Sequence, residues 1–158
     1  MQIRAASPQS SDYLSAGNSA TPTRRVNVPM FIRDHAETME TSTPEELQRF
    51  LLRRFDADGA RVNSFWLCHV EDYPALSILV REESACLDWM FDAEGTTFSS
   101  ARPGSEQGEM GTTLFFFNGQ PQPVLNYQIV TFDAAIRAAV DFLKNPTELS
   151  HALDWDEL

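Results

Sequence analysis

Val62-Asn63-Ser64-Phe65-Trp66-Leu67-Cys68-His69-Val70, Ala75-Leu76-Ser77-Ile78-Leu79-Val80 and Ala85-Cys86-Leu87-Asp88-Trp89-Met90-Phe91 decide the fold. In the second run Leu76, Ile78 and Val80 alternate onto one face. In the third, Ala85, Leu87, Trp89 and Phe91 do so, with Asp88 and Met90 on the other. The links between the runs, Glu71-Asp72-Tyr73-Pro74 and Arg81-Glu82-Glu83-Ser84, are too short for parallel crossovers. The spacing therefore predicts an antiparallel meander.

Upstream, Ser42-Thr43-Pro44-Glu45-Glu46 starts a helix. Thr43 can cap, Pro44 suits the first helical position and Glu46 can close a capping box. Leu47, Phe50, Leu51 and Phe55 follow at helical spacing, and Asp56-Ala57-Asp58-Gly59 is expected to end the helix. Residues 26–32 suggest a short strand, and residues 1–25, rich in Ser, Pro, Ala, Gly and Thr, suggest a disordered tail.

Downstream, residues 92–111 read as a long glycine-punctuated loop with a brief strand at 97–99. Residues 112–117 and 124–130 read as strands. Asn118-Gly119 is a tight-turn pair, but Pro121 and Pro123 predict a link longer than a two-residue hairpin. Thr131 can cap a second helix with Phe132, Ile136, Ala139, Val140 and Leu143 on its apolar face, stopped by Asn145-Pro146. Trp155, close to the C-terminus, is expected to pack back onto the body. The expectation is one α+β domain over residues 26–158: an antiparallel sheet of about five strands, with two helices packed on one face.

Cys68 and Cys86 lie in apolar segments and read as buried free thiols of a reducing cytosol. No N-terminal apolar stretch of roughly 7–15 residues marks export, and no run approaches the ~18 apolar residues of a membrane span. The expected location is cytoplasmic. Net charge is −11, unevenly placed. Residues 71–110 hold nine acids against Arg81 and Arg102, and residues 141–158 hold five against Lys144. Such a chain is repelled by nucleic acid and anionic membranes and attracted to basic proteins. Plain solubility would produce the same balance.

The chain offers no motif for catalysis. His35, His69 and His151 show no ligand spacing, and no Cys-x-x-Cys, Gly-x-Ser-x-Gly or phosphate loop occurs. Cys68 and His69 are adjacent on a strand and point to opposite faces. Asp88 and Asp92 could form an acid pair beside apolar surface, a pattern too common to support a glycosidase. The expectations are no catalytic residue, no metal, no cofactor and no enzyme.

The order of segments resembles immunity protein family 1, small α+β proteins encoded beside bacterial polymorphic toxins. The stretches that carry the resemblance are Phe65-Trp66-Leu67 with Tyr73-Pro74-Ala75-Leu76-Ser77-Ile78, Ala85-Cys86-Leu87-Asp88-Trp89-Met90 with Phe98-Ser99-Ser100, and Phe115-Phe116-Phe117-Asn118-Gly119. Ile129-Val130, Ala134-Ala135-Ile136-Arg137-Ala138-Ala139, Phe142-Leu143 and the closing Leu153-Asp154-Trp155-Asp156-Glu157-Leu158 complete it. It spans residues 40–158. Residues 1–25 lie outside it, and residues 145–152 form a longer linker than the family pattern, without the Arg-Pro usual there. The resemblance implies a stoichiometric inhibitor of a toxin domain that carries a basic nucleic-acid-binding groove, most often a deaminase and sometimes a nuclease.

Clustered carboxylates would steer such an inhibitor to its target, and a few aromatic anchors would hold it. The steering candidates are Glu71, Asp72, Glu82, Glu83, Asp88, Asp92, Glu94, Glu106 and Glu109. Tyr73 is a candidate anchor. Trp155 is a second, although core packing explains it as well, and the loop at residues 92–111 is the candidate insertion element. Two alternatives stand beside this reading: a small-molecule-binding or enzymatic domain with Trp89 and residues 115–117 lining a cavity, and an acidic nucleic-acid mimic or adaptor.

Overall fold

The structure, a computed structural model, describes residues 29–69, 72–105 and 111–158. The tail proposed for residues 1–25 lies outside the described residues. Among those described, the chain runs β1 (Met30–Arg33), β2 (Thr38–Thr41), α1 (Pro44–Leu51), β3 (Phe55–Ala57), β4 (Ala60–Cys68), β5 (Ala75–Arg81), β6 (Ser84–Met90) and β7 (Thr97–Ala101). There follow β8 (Thr112–Phe117), β9 (Gln120–Leu125), a short 3₁₀ turn (Asn126–Gln128), β10 (Val130–Thr131), α2 (Phe132–Lys144) and β11 (Asp154–Glu157).

The class is α+β, built around an antiparallel sheet, with more strands than sequence patterning suggested. The main sheet has the order β11-β7-β6-β5-β4-β1-β2, with β3 paired to β4 and β10 to β6. The meander β4-β5-β6 is its centre, in the register Phe65↔Ile78↔Leu87. The alternating residues of β5 and β6 enter one large core with Leu47, Phe50 and Leu51 of α1 and Phe132, Ala135, Ala138 and Phe142 of α2. Both helices therefore cover one face. The hairpin β8–β9 covers part of the other, where Leu79, Cys86, Phe115 and Val124 form a second, smaller core. No helix among the described residues is long and apolar enough to cross a membrane.

Several boundaries depart from the sequence patterning. Helix α1 ends at Leu51, and Phe55 belongs to β3. Asp58 and Gly59 sit at φ of 50° and 70° and close a two-residue hairpin, with Ala57 opposite Ala60. Arg54 Nη1 donates to the carbonyls of Leu51 (2.6 Å) and Arg53 (2.8 Å), satisfying acceptors that the helix end leaves free. At the other end Thr43 Oγ1 accepts from Glu46 N at 3.3 Å. The Glu46 carboxylate accepts from Thr41 Oγ1 (3.1 Å) instead of folding back to Thr43, whose N–H goes to the same Thr41 hydroxyl.

Asn118 and Gly119, at φ of 48° and 78°, close a second two-residue hairpin, with Phe117 opposite Gln120. The prolines do not lengthen the turn. The closing pair of such a hairpin exchanges hydrogen bonds, so the pairs Phe116↔Pro121 and Leu114↔Pro123 fall at alternate positions whose N–H points away from the partner. Proline loses nothing there. The strand foreseen over residues 124–130 is divided among the end of β9, the 3₁₀ turn and β10.

Residues 97–101 are an inner strand of the sheet, paired on both sides, and not the middle of a free loop. The buried stripe of α2 is also rotated from the expected one. Ala134, Ala135, Ala138, Ala139 and Phe142 are buried, whereas Ile136, Val140 and Leu143 are half-buried. Alanines let the helix backbone approach the sheet closely, which places Phe142 against Trp89 at 5.0 Å between ring centres.

Candidate functional site

Strand register assembles a row of side chains on the face opposite the helices. Arg33 lies opposite Trp66, Trp66 opposite Ser77, Ser77 opposite Asp88, Asp88 opposite Ser99, and Ser99 opposite Asp156. Directly opposed residues share a face. Period-2 alternation sends the large apolar residues of these strands to the helix side and leaves this side small, polar or charged.

The hairpin covers this face over Leu79 and Cys86 but not over the whole row. At its margin a groove of about 380 Å³ opens, lined by Ser77, Asp88 and Ser99 together with Trp66, Met90 and Phe117. The C-terminal Leu158 borders it. A second concavity of about 540 Å³ shares Trp66 and Phe117 and extends to Arg33, His35 and Asn118.

Asp88 is the charged residue within the groove. Burial pushes its carboxyl above the ordinary range, and a hydrogen bond from Ser99 Oγ, at 2.5 Å, opposes that shift. No ion pair to Asp88 occurs among the described residues. Arg33 shares the row but stands three strands away, roughly 14 Å at normal strand spacing. Arg81 is engaged elsewhere, donating to the carbonyl of Leu114 at 2.9 Å. The indole N–H of Trp66 is buried with no nitrogen or oxygen acceptor among the described residues; the sulfur of Cys68, a weak acceptor on the same face, interacts with it.

The groove has no equipped nucleophile. Burial, and then the nearby Asp88 charge, push the Cys86 thiol up to about 12, which keeps it protonated and inert at neutral pH. Among the described residues no three His, Cys, Asp or Glu side chains come together to hold a metal ion. Trp89 and Phe115 do not line a common cavity: Trp89 is in the helix-side core and Phe115 in the hairpin-side core, on opposite faces of the sheet. Phe117 alone of that aromatic run reaches the groove.

The acidic candidates divide by position. Asp72 and Tyr73, in the β4–β5 turn, and Asp92 and Glu94, in the β6–β7 turn, lie at one end of the sheet. Glu157 and Leu158 join them there, because Glu157 pairs with Phe98 and Leu158 N donates to Thr97 O at 3.0 Å. Glu82 and Glu83, in the β5–β6 turn, lie at the opposite end, roughly 20 Å away along β5. Asp88 lies between the ends, in the groove. Glu71, Glu106 and Glu109 lie outside the described residues.

Two of the exposed acids also hold backbone in place. The Asp92 carboxylate accepts from the backbone N–H groups of Thr96 (3.2 Å), Glu94 (3.0 Å) and Gly95 (3.1 Å), which holds its pKa below the ordinary value. Glu82 Oε1 accepts from Arg61 N at 2.8 Å. Tyr73 is half-buried. Trp155 is half-buried against the large core, with its ring 5.5 Å from Trp89 and its Nε1 donating to Ser150 O at 2.8 Å, so it acts as packing.

Sequence patterning gave no reason to assign Trp66, Ser77 or Ser99 to a site. They come from strands far apart in the chain, and only the register brings them together. The alternation that put Asp88 opposite in orientation to Trp89 was the available signal.

The family model of the immunity protein Imm1 matches residues 35–157 of the chain. No curated protein matches it.

Proposed function

The chain belongs to the Imm1 immunity protein family, and from that premise we propose that it binds and neutralises a cognate bacterial toxin domain, one molecule to one, without catalysing a reaction. The family match over residues 35–157 carries this reading. The placement of charge supports it: Asp72, Asp92, Glu94 and Glu157 gather at one end of the sheet, and Asp88 lies in a groove with no cation among the described residues.

The toxin acts on nucleic acid, in this proposal as a deaminase, with a nuclease the second choice. Enzymes of both kinds present a basic groove to a phosphate backbone. An acidic inhibitor is drawn to that groove, and complementary charge lifts association toward roughly 10⁸ M⁻¹s⁻¹ at low salt. The site of action is the cytoplasm. Asp72, Tyr73, Asp92 and Glu94 belong to the docking surface, with Asp88 as its centre. Glu71, Glu106 and Glu109, which lie outside the described residues, are further candidates for steering, and Glu82 and Glu83 contribute long-range attraction only.

Co-expression with the C-terminal domain of the toxin encoded beside this gene is the test. Rescued growth and recovery of a one-to-one complex are expected. Continued killing, with no complex on size exclusion, would remove the proposal.

A further inference from the structure

Three features of the molecule stand apart: the apolar outer face of the β8–β9 hairpin, the buried His69 Nε2 with no partner among the described residues, and the groove around Asp88. The groove carries an argument furthest.

A carboxylate taken out of water is normally paired with a cation or saturated with donors. Asp88 is half-buried and has one donor, the Ser99 hydroxyl, and no cation among the described residues. The groove beside it is open, with room for about 380 Å³. Its other lining groups are suited to one kind of guest. Ser77 and Ser99 flank Asp88 on the neighbouring strands, and Gln122 and Gln128 border the groove. Trp66, Met90 and Phe117 supply flat or soft apolar surface. One carboxylate without a cation partner, set beside aromatic and thioether surface, fits a planar forked donor on an aliphatic stem. A lysine ammonium would use the charge but not the walls.

We propose that an arginine side chain of the toxin domain inserts into the groove between the β8–β9 hairpin and the sheet, pairing its guanidinium with Asp88. This rests on the inhibitor reading above and adds to it the chemistry of the contact. It also sets the mode of inhibition. An arginine held by Asp88 is withdrawn from phosphate binding, so inhibitor and nucleic acid compete for the same toxin side chain.

The test is a double-mutant cycle with the purified toxin domain encoded beside this gene. Asp88→Asn keeps the side-chain shape and removes the charge. It is expected to weaken binding by roughly 100-fold, and one Arg→Ala change in the toxin is expected to be non-additive with it by tenfold or more. That coupling would not arise if Asp88 were merely structural.

Equal binding by wild type and Asp88→Asn, or coupling to no toxin arginine, would overturn the inference while leaving the inhibitor reading standing. Coupling to a lysine alone would overturn the choice of guanidinium. Absence of binding by the wild-type protein would remove the inhibitor reading itself, and the inference with it.

Discussion

The indole of Trp155 stands edge-on to that of Trp89, with ring centres 5.5 Å apart and planes at 88°, and so ties the last strand to the middle of the sheet. Each indole N–H is satisfied by backbone of the segment between α2 and β11. Trp89 Nε1 donates to Pro146 O at 3.1 Å and Trp155 Nε1 to Ser150 O at 2.8 Å. The terminal strand is thus held by a ring contact and by two side-chain hydrogen bonds to its own approach.

Trp155→Ala is therefore expected to destabilise the fold by about 2–3 kcal/mol, less than a fully buried tryptophan because one side remains exposed. Chemical denaturation followed by circular dichroism measures this. A loss below about 0.5 kcal/mol, the size of an ordinary surface change, would show that β11 is an ornament of the sheet.

Asp88→Asn should have the opposite sign in the free protein. The Asp88 pKa is raised in the folded state, above its ordinary 3.8. Ionisation at neutral pH then costs folding free energy, and stability from this group is greatest where it stays protonated. The variant is expected to melt at a higher temperature than wild type at pH 7. The gap should close on acidification through the raised pKa toward 3.8. Cys86, Asp156 and, farther along the row, Arg33 are the other ionisable side chains on this face among the described residues, so Asp156→Asn is the control background. A variant less stable than wild type at pH 7 would contradict this account.

Asp34 gives the reverse pH signature. Burial alone would raise its pKa, but the backbone N–H groups of Glu37 and Ala36, the Asn63 amide and the Arg53 charge hold it below the ordinary value. Its contribution is present above the unfolded pKa and lost as pH falls through the lowered folded one. Asp34→Ala strips acceptors from Ala36 N and Glu37 N, both at 2.9 Å, and from Asn63 Nδ2 at 3.3 Å. A loss of about 1–3 kcal/mol at pH 7 is expected, shrinking as the solution is acidified below the carboxylate range.

Reversing Asp72 and Glu94 to Lys should slow association with the toxin domain roughly tenfold at low salt and flatten its salt dependence. Asp92 is left alone because its carboxylate holds its own turn. Glu83→Lys, at the far end of the sheet, should change the rate by less than about threefold at physiological salt. Stopped-flow fluorescence distinguishes these outcomes. Equal effects from both ends would mean that only net charge matters.

The meander, both helix starts and the α+β class were legible because each rests on local chemistry: alternation in β5 and β6, Thr43 and Thr131 as caps, and short turns. The misread boundaries have a common cause. Asp58-Gly59 and Asn118-Gly119 were both hairpin turns in plain view, but the first was absorbed into a helix stop and the second was discounted for its prolines. What a proline costs depends on which side of the strand its nitrogen faces, and that follows from register. The groove was illegible for the same reason. Trp66, Ser77, Asp88 and Ser99 become neighbours only through pairings across three strand boundaries.

Those prolines have a use beyond tolerating the turn. Strand β9 is the rim of a two-stranded ribbon whose outward side chains include Leu114, Phe116 and Leu125, a greasy surface that invites another strand to line up against it. At Pro121 and Pro123 the rim has no N–H to offer, so a newcomer would find carbonyl acceptors there but no donors. The apolar flank of the hairpin is thereby left beside a poor template for adding a strand.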